Sequence, residues 1–222
     1  MIKFDIVTLF PHIFEEHFQN LPYKKAVQLK KAEYKIWNLR DYATDSYGTV
    51  DDKVYGGGKG MLLKIEPVFN ALKDIYKKDP RKHTKKQKII LLSPKGEKYN
   101  QKKASMFSKM EQITLICGRY EGVDARITQN LATDVISIGD YVLSGGEIPA
   151  LAVLESISRL LPGVLDKEAV REESFSGKYL EHPQYTRPEN FKGMKVPQVL
   201  LSGNHKEIEK WKEKNKKKFI RQ

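Results

Sequence analysis

The chain has 222 residues, 40% of them hydrophobic, so it can bury a substantial core and suffices for one sizeable domain with a small second one. Forty basic residues against 28 acidic ones give a net charge of +12, which favours a polyanionic partner, above all a nucleic acid. The sequence contains no run of about 18 apolar residues, which excludes a membrane-spanning helix and leads us to expect a cytoplasmic protein.

The numbers and positions of the cysteine, histidine and arginine residues limit the kinds of site that the chain can form. Cys117 is the single cysteine, so an intrachain disulfide is excluded, and the five histidines are too scattered for a zinc pattern. We therefore predict no structural metal site. Lysine dominates the basic residues, which makes the few arginines more informative, because a guanidinium binds phosphate or a base edge in a way that lysine cannot reproduce. Arg119, Arg126, Arg159 and Arg187 fall in motif-like segments.

The amino-terminal part of the chain predicts alternating strands and helices. Residues 2–10 form an apolar run typical of a strand, and Pro11 opens a short predicted helix that ends near residue 19. A basic helix is predicted over 21–31 and a short strand over 34–37. Residues 38–60 lack periodicity and are rich in turn formers, which predicts a long loop, and such loops in compact domains are often functional.

The middle of the chain continues this alternation. A helical stripe predicts a helix from Pro67 to about residue 77, and the basic run 77–88 is interpreted as a solvated loop or, alternatively, a binding patch. The apolar residues 89–92 predict a strand that ends at 93–96. After a polar helix, residues 113–117 predict the next strand.

The carboxyl-terminal part contains a glycine-marked segment and a change in composition. Residues 137–147 leave a strand and enter the apolar helix predicted over 149–161, which Pro162 and Gly163 end. Residues 166–178 read as a polar linker. Residues 179–222 predict a small helical tail whose last helix, from about His205, is strongly basic.

Short apolar runs, each followed by a turn and a helix, predict an α/β fold with a mostly parallel sheet covered on both faces. The turns at 92–94, 117–122 and 138–141 then lie at the carboxyl ends of strands. Ligands of open α/β sheets bind at that edge. The sequence therefore predicts a ligand site formed by three strand ends.

The segment 137–147 is suited to hold a small molecule. Its glycines let the backbone approach a ligand, and Tyr141 and Leu143 can supply apolar walls. The alternative interpretation is a plain strand-to-helix turn in which the glycines serve geometry alone.

The glycine run 56–60 contains a lysine but lacks the spacing of a phosphate-binding loop, and it does not match the dinucleotide-binding pattern either. We interpret it as a loop able to approach RNA, with Asp51 and Asp52 available to bond a base edge. A structural hinge is the alternative.

Taken in order, these segments resemble the bacterial tRNA (guanine-N1)-methyltransferase family, TrmD, of the knotted SPOUT class, over essentially the whole chain. The resemblance rests on the segment 137–147 and on further motifs: Thr8-Leu9-Phe10-Pro11, Asp51-Asp52 with Gly56-Gly57-Gly58-Lys59-Gly60-Met61, Leu92-Ser93-Pro94-Lys95-Gly96, Cys117-Gly118-Arg119-Tyr120-Glu121-Gly122, His182-Pro183-Gln184-Tyr185-Thr186-Arg187-Pro188, and Val199-Leu200-Leu201-Ser202-Gly203-Asn204-His205.

The resemblance implies a SPOUT-type parallel sheet with a deep trefoil knot, and a small helical carboxyl-terminal domain. It implies a knotted catalytic domain over 1–165, a linker over 166–178 and a tRNA-binding domain over 179–222. It also implies that S-adenosyl-L-methionine binds among the three knot loops. The implied cofactor residues are Leu92, Ser93, Gly118, Tyr120, Glu121, Ile138, Gly139, Asp140, Tyr141, Val142, Leu143, Gly145, Gly146 and Pro149.

The implied reaction is methylation of N1 of guanosine 37 in tRNA, next to the anticodon. Arg159 matches the arginine of the family and is suited to stabilise negative charge on O6. Glu173 stands where members usually carry an aspartate and is the predicted general base, with Glu172 as the alternative. The implied RNA-binding residues are Asp51, Asp52, Gly57, Gly58, Arg187 and Ser202.

The resemblance further implies a homodimer whose active site draws the linker and the small domain from the partner subunit. Magnesium is a second expected cofactor, with loose candidate ligands in Asp51, Asp52, Asp140 and Glu121. Two other functions are weighed: a knotted methyltransferase that acts on a ribose 2′-hydroxyl, and an RNA-binding module without catalysis.

Overall fold

The computed structural model describes residues 1–166, 174–175 and 179–218. The chain divides into two compact units, Met1–Leu165 and Asp166–Gln222, called here the first and the second unit. Each unit is described by itself. None of the helices in the described residues is long and apolar enough to cross a membrane.

A five-stranded sheet in the order β2-β1-β6-β5-β7 forms the centre of the first unit, and all neighbouring strands are parallel. The prediction of an α/β fold with a parallel sheet is therefore confirmed. The trefoil knot implied by the resemblance stays a prediction. The strands are β1 (Ile2–Thr8), β2 (Ala32–Asn38), β5 (Gln87–Lys98), β6 (Gln112–Cys117) and β7 (Asp134–Ser137).

Helices cover both faces of the sheet, as the continuous apolar strands require. Alternate strand residues enter two separate cores: Phe4 and Ile6 pack on one face, and Val7 packs on the other. The second core includes α3 residues such as Leu72. The helices are α1 (His12–Glu15), α2 (Tyr23–Gln28), α3 (Ile65–Tyr76), α4 (Gln101–Phe107), α5 (Ala125–Asn130) and α6 (Glu147–Ser158), with 3₁₀ turns at His17–Gln19 and Leu39–Tyr42.

Strand β5 differs from the prediction that it ends at 93–96. The strand continues to Lys98, and both Leu92 and Glu97 lie opposite Ile136 of β7. The four residues between them therefore form a bulge that leaves the ladder and returns to it. Ser93 and Pro94 still mark a departure from the sheet, but the backbone resumes pairing where a turn into a helix was expected.

The region predicted as one long loop, 38–60, contains part of an antiparallel hairpin. Strand β3 (Asp51–Lys53) pairs with β4 (Met61–Leu63). Each strand has three residues, too few to show a period of two in the sequence. The glycine-rich segment is the loop of this hairpin.

The second unit is helical as predicted in its last part, where α8 (His205–Asn215) is capped by the Asn204 side chain and follows the short α7 (Gln198–Leu201). Two antiparallel pairs of two-residue strands were not predicted. They are β9 (Asn190–Phe191) with β10 (Met194–Lys195), and β8 (Tyr179–Leu180) with β11 (Lys217–Lys218).

Candidate active site

A cavity of about 620 Å³ lies at the carboxyl ends of β5, β6 and β7. Its walls come from the bulge of β5, the loop after β6 and the segment between β7 and α6. The predicted strand ends therefore meet in one place, as expected for an open parallel sheet. The lining includes every predicted cofactor residue except one: Leu92, Ser93, Gly118, Tyr120, Glu121, Ile138, Gly139, Tyr141, Val142, Leu143, Gly145, Gly146 and Pro149.

Asp140 is the predicted cofactor residue that does not line the cavity. Its side chain is 77% exposed and forms an ion pair with Lys98 of β5. The ion pair holds the Asp140 carboxylate at Lys98, whereas the ring of the next residue, Tyr141, lines the cavity and packs beside the Gly139 backbone.

Gly146, at the start of α6, closes one wall of the cavity. A Cβ atom there would lie 2.7 Å from the Cα atom of Cys117 and 2.9 Å from the amide nitrogen of Gly118. The Gly146 N–H donates to the Gly118 carbonyl at 2.9 Å. Only glycine permits this approach, so the segment before α6 packs directly on the backbone after β6.

A buried carboxylate below this wall was not predicted from the sequence. Glu147 is 1% exposed, and its Oε1 accepts a hydrogen bond from the Thr8 hydroxyl at 2.9 Å. Its Oε2 accepts from Nε of Arg119 at 3.0 Å, and Nη1 of Arg119 donates to the Ser144 carbonyl at 3.2 Å. The guanidinium also lies 4.3 Å above the ring of Phe10.

These contacts join β1, the loop after β6 and the segment 137–147 through one ion pair. An acid in the first turn of an otherwise apolar helix is the sequence signal that could have identified Glu147. Burial and then the Glu147 charge raise the pKa of the neighbouring Cys117 thiol well above its usual range. Cys117 is therefore an inert core residue in this setting.

Tyr120 stands at the mouth of the cavity in a strained backbone conformation, with φ of 59° and a 46% exposed side chain. Partial burial and then the nearby Asp51 carboxylate raise the pKa of Tyr120, whereas Arg40 opposes this shift. Non-glycine residues with positive φ concentrate at functional sites.

The hairpin with the predicted RNA-binding residues Asp51, Asp52, Gly57 and Gly58 lies beside the same cavity. Backbone hydrogen bonds join its strand β4 to the loop after β6. The Glu121 N–H donates to the Met61 carbonyl at 3.1 Å, and the Leu63 N–H donates to the Gly122 carbonyl at 3.1 Å. Both glycines have positive φ, and a Cβ atom would meet nothing within 4 Å at Gly57 and only the Cβ atom of Val54, at 4.0 Å, at Gly58. The structure thus brings this hairpin and the predicted cofactor residues together.

Arg159 is the predicted catalytic residue of the first unit, and the first unit does not bring it to the cavity. Arg159 follows the last residue of α6, and its position ten residues after Pro149, which lines the cavity, places it roughly 15 Å along the helix from that wall. Arg187 and Ser202 belong to the second unit and are exposed, and the Ser202 hydroxyl donates to the Val199 carbonyl at 2.8 Å. Glu173 and its alternative Glu172 lie outside the described residues.

The candidate magnesium ligands do not form a cluster. Within the described ranges, no three histidine, cysteine or acidic side chains come close enough together to hold a metal ion. Asp51 is beside Tyr120, while Asp140 is engaged with Lys98.

A parallel sheet with a glycine-walled cavity at its carboxyl edge defines the first unit as an α/β fold with a candidate small-molecule site. The chain matches the family model described as tRNA (Guanine-1)-methyltransferase TrmD over residues 2–222. The chain belongs to this family.

Curated relatives match this chain over most of their length. A tRNA (guanine-N(1)-)-methyltransferase of Dictyoglomus turgidum is 50% identical over 224 aligned residues, which cover 100% of this chain and 88% of the relative. Proteins of the same name from Bacillus pumilus and Bacillus cereus are 51% and 48% identical, and each alignment covers 96% of this chain and 86% of the relative. The resemblance seen in the motifs is therefore confirmed.

Proposed function

We propose that the protein transfers a methyl group from S-adenosylmethionine to N1 of guanosine 37 in tRNA. The observation that carries this proposal is the convergence of the predicted cofactor residues, from three strand ends, on one cavity of about 620 Å³. That volume is within the roughly 300–1,000 Å³ typical of small-molecule sites. Membership of the TrmD family supports the choice of reaction and of RNA class.

The lining of the cavity fits S-adenosylmethionine. Apolar side chains such as Leu92 and Leu143 offer contacts for an adenine ring, and the glycines at 118 and 146 let the neighbouring segments pack closely on one another to form the cavity wall. When bound, the cofactor supplies a methyl group on a positively charged sulfur that leaves as a neutral thioether. Every other requirement of the reaction falls on the protein.

The guanine base needs a proton removed and a charge stabilised. N1 of guanine carries a proton, and we propose that the Glu173 carboxylate takes it as the N1 electron pair forms the bond to the methyl carbon. Negative charge that develops on O6 is stabilised by the guanidinium of Arg159. The side chain of glutamate is one methylene longer than that of the usual aspartate, so the linker must place its carboxylate differently.

We further propose a homodimer, with residues 1–165 as the catalytic domain, 166–178 as the linker and 179–222 as the tRNA-binding domain, acting in the cytoplasm. The position of Arg159, at the end of α6 away from the cavity, supports a site that is completed by a second copy of the chain.

Mixed dimers test the shared site. Gly146→Val pushes the start of α6 off the Cys117 and Gly118 backbone and so deforms the cavity, and Arg159→Ala removes the cation, so each variant alone is expected to be inactive even where it still forms dimers. If a site combines the cavity of one copy with Arg159 of the other, coexpression restores about one quarter of wild-type activity, because half of the dimers are mixed and each has one intact site. Activity no higher than that of the single variants contradicts the shared site.

A matched pair of substitutions tests the general base. Glu173→Gln is expected to lower kcat on the order of 10²–10⁴-fold and to leave S-adenosylmethionine affinity unchanged, because it removes proton transfer alone. Glu172→Gln, one residue away, is the control and should retain most of the activity. The reverse pattern would assign the base to Glu172, and full activity in both variants would remove the base from this segment.

Magnesium is proposed as a second cofactor, acting either on the enzyme or on the RNA. To separate the two cases, the affinity for S-adenosylmethionine is measured without tRNA while the metal-free enzyme is titrated with Mg²⁺. A change in cofactor affinity places the ion on the enzyme, where Asp51→Asn should abolish the effect. An effect seen only with tRNA present places the ion on the RNA.

A further inference from the structure

The second unit contains an aromatic cluster formed by His182, Tyr185 and Trp211. The ring centroid of Trp211 lies 6.0 Å from that of His182, at an interplanar angle of 67°, and 6.3 Å from that of Tyr185, at 59°. Trp211 is on α8, and the other two side chains reach it from the segment before β9. Such distances are those of attractive aromatic pairs.

This aromatic cluster is open to solvent. Tyr185 is 50% exposed, and His182 and Trp211 are half-buried. Among the described residues, none that follows Val164 is buried, so the rings do not belong to a sealed core. A half-exposed tyrosine packed on a tryptophan leaves a rigid apolar ring face that another flat group can cover.

A row of cations runs along α8 and reaches the aromatic cluster at its carboxyl end. Lys206, Lys210 and Lys214 are spaced four residues apart and therefore lie along one side of the helix, with Lys214 one turn from Trp211. Within the described part of the chain these three lysines have no acidic partner.

The other charges of the helix are largely neutralised. Lys212 pairs with Glu209 at 2.8 Å, and Lys216 pairs with Glu213. Glu207 is the remaining acid, and its backbone N–H donates to Oδ1 of Asn204 at 3.3 Å. The unpaired cations of α8 thus lie on one side of the helix, with Lys214 the nearest of them to Trp211.

We infer that the aromatic cluster and this lysine row form a binding site for one unpaired nucleotide of the RNA. A nucleobase stacks on the exposed face of Tyr185, and the lysines contact the flanking phosphates. Aromatic platforms beside basic grooves bind single-stranded nucleic acid in this way, because every base has a flat face and every linkage has a negative charge. The inference rests on the proposed function, since it takes tRNA as the ligand.

Binding measurements on the full-length protein test the stacking. Tyr185→Ala is expected to weaken binding of a tRNA transcript on the order of tenfold, whereas Tyr185→Phe, which keeps the ring, should stay within about twofold. A merely structural role is distinguished by a scan of abasic substitutions through the loops of the transcript. At one position, removal of the base should weaken binding by the wild type as much as Tyr185→Ala does. The same abasic transcript should bind Tyr185→Ala no more weakly than the intact transcript does.

The lysine row has its own matched control. Lys210→Gln should lower the salt dependence of binding by about one unit of slope, and Lys212→Gln, which removes a lysine already paired with Glu209, should change it less. If Tyr185→Ala does not fold, the fluorescence of Trp211 is measured instead in the Trp37→Phe variant, which leaves Trp211 as the single tryptophan. Addition of RNA is expected to quench this fluorescence.

The inference is overturned if Tyr185→Ala binds the transcript as tightly as the wild type. It is also overturned if each abasic substitution lowers the affinity of Tyr185→Ala by as much as it lowers that of the wild type, or if Trp211 emission does not change when RNA binds. The proposed function fails by a different result, namely RNA binding without methyl transfer. The two failures are therefore distinguishable.

Discussion

The two units bury their side chains to very different degrees. In the first unit, two apolar cores fill both faces of the sheet, and residues such as Ile6, Leu72 and Leu154 are 0% exposed. In the second unit no described residue is buried, and Phe191 and Met194 are more than half exposed. The first unit therefore holds its own shape, while the second depends on short strand pairs and one capped helix.

This difference corresponds to the two kinds of ligand that we propose for the two units. A small molecule requires a preformed cavity, which the packed sheet edge supplies at Gly118 and Gly146. A long polyanion can supply order itself, because its contacts compensate for the entropy lost by a weakly packed segment. We therefore expect the first unit to bind cofactor without RNA and the second to gain protection from hydrogen exchange when tRNA binds.

The largest difference between the two units is expected when a leucine side chain is shortened to alanine in each of them. Leu154→Ala, on the buried face of α6, is expected to lower the free energy of unfolding by about 2–5 kcal/mol, because it leaves a cavity in a close-packed core. Leu201→Ala, at a leucine 40% exposed in α7, should cost less than about 1 kcal/mol. Urea unfolding measures both, and equal losses would contradict the contrast in packing.

The ion pair below the cavity should have the next largest effect. Glu147→Gln removes the charge that holds Arg119, so we expect a loss of about 2 kcal/mol in stability. Since Arg119 also bonds the Ser144 carbonyl, the affinity for S-adenosylmethionine should fall as well. Calorimetric titration measures this affinity.

The matched control for that variant is Glu155→Gln, at an exposed acid on the same helix, which should bind cofactor normally. Normal cofactor binding by Glu147→Gln would show that the segment 137–147 holds its place without the ion pair.

The smallest effect is expected at Asp140, an exposed residue of the segment 137–147. Asp140→Asn breaks a solvent-exposed ion pair with Lys98, and such pairs contribute about 0–1 kcal/mol. Cofactor affinity should remain within about twofold of the wild type, because the Asp140 side chain does not line the cavity. A tenfold loss in calorimetric titration would return Asp140 to the cofactor site.

The sequence predicted the strand ends well, because short apolar runs followed by glycine or proline are local signals. Leu92, Gly118 and Ile138 were placed on one edge by the rule for parallel sheets, and they line one cavity. The family prediction is confirmed by the match over residues 2–222.

Contacts between distant segments could not be predicted in the same way. The β3–β4 hairpin is too short to show a period, and the resumption of β5 at Glu97 depends on its pairing with Ile136. The Thr8 to Glu147 hydrogen bond joins residues 139 positions apart, which no local pattern indicates. The assignment of Glu173 as base stays a prediction.

The most direct test of the central claim is a methyl-transfer assay with labelled S-adenosylmethionine and paired tRNA transcripts that carry guanosine or another base at position 37. The account predicts one methyl group per transcript, located at N1 of guanosine 37, and none on the transcript with the replaced base. Equal labelling of both transcripts, or a methyl group on a ribose oxygen, would contradict it.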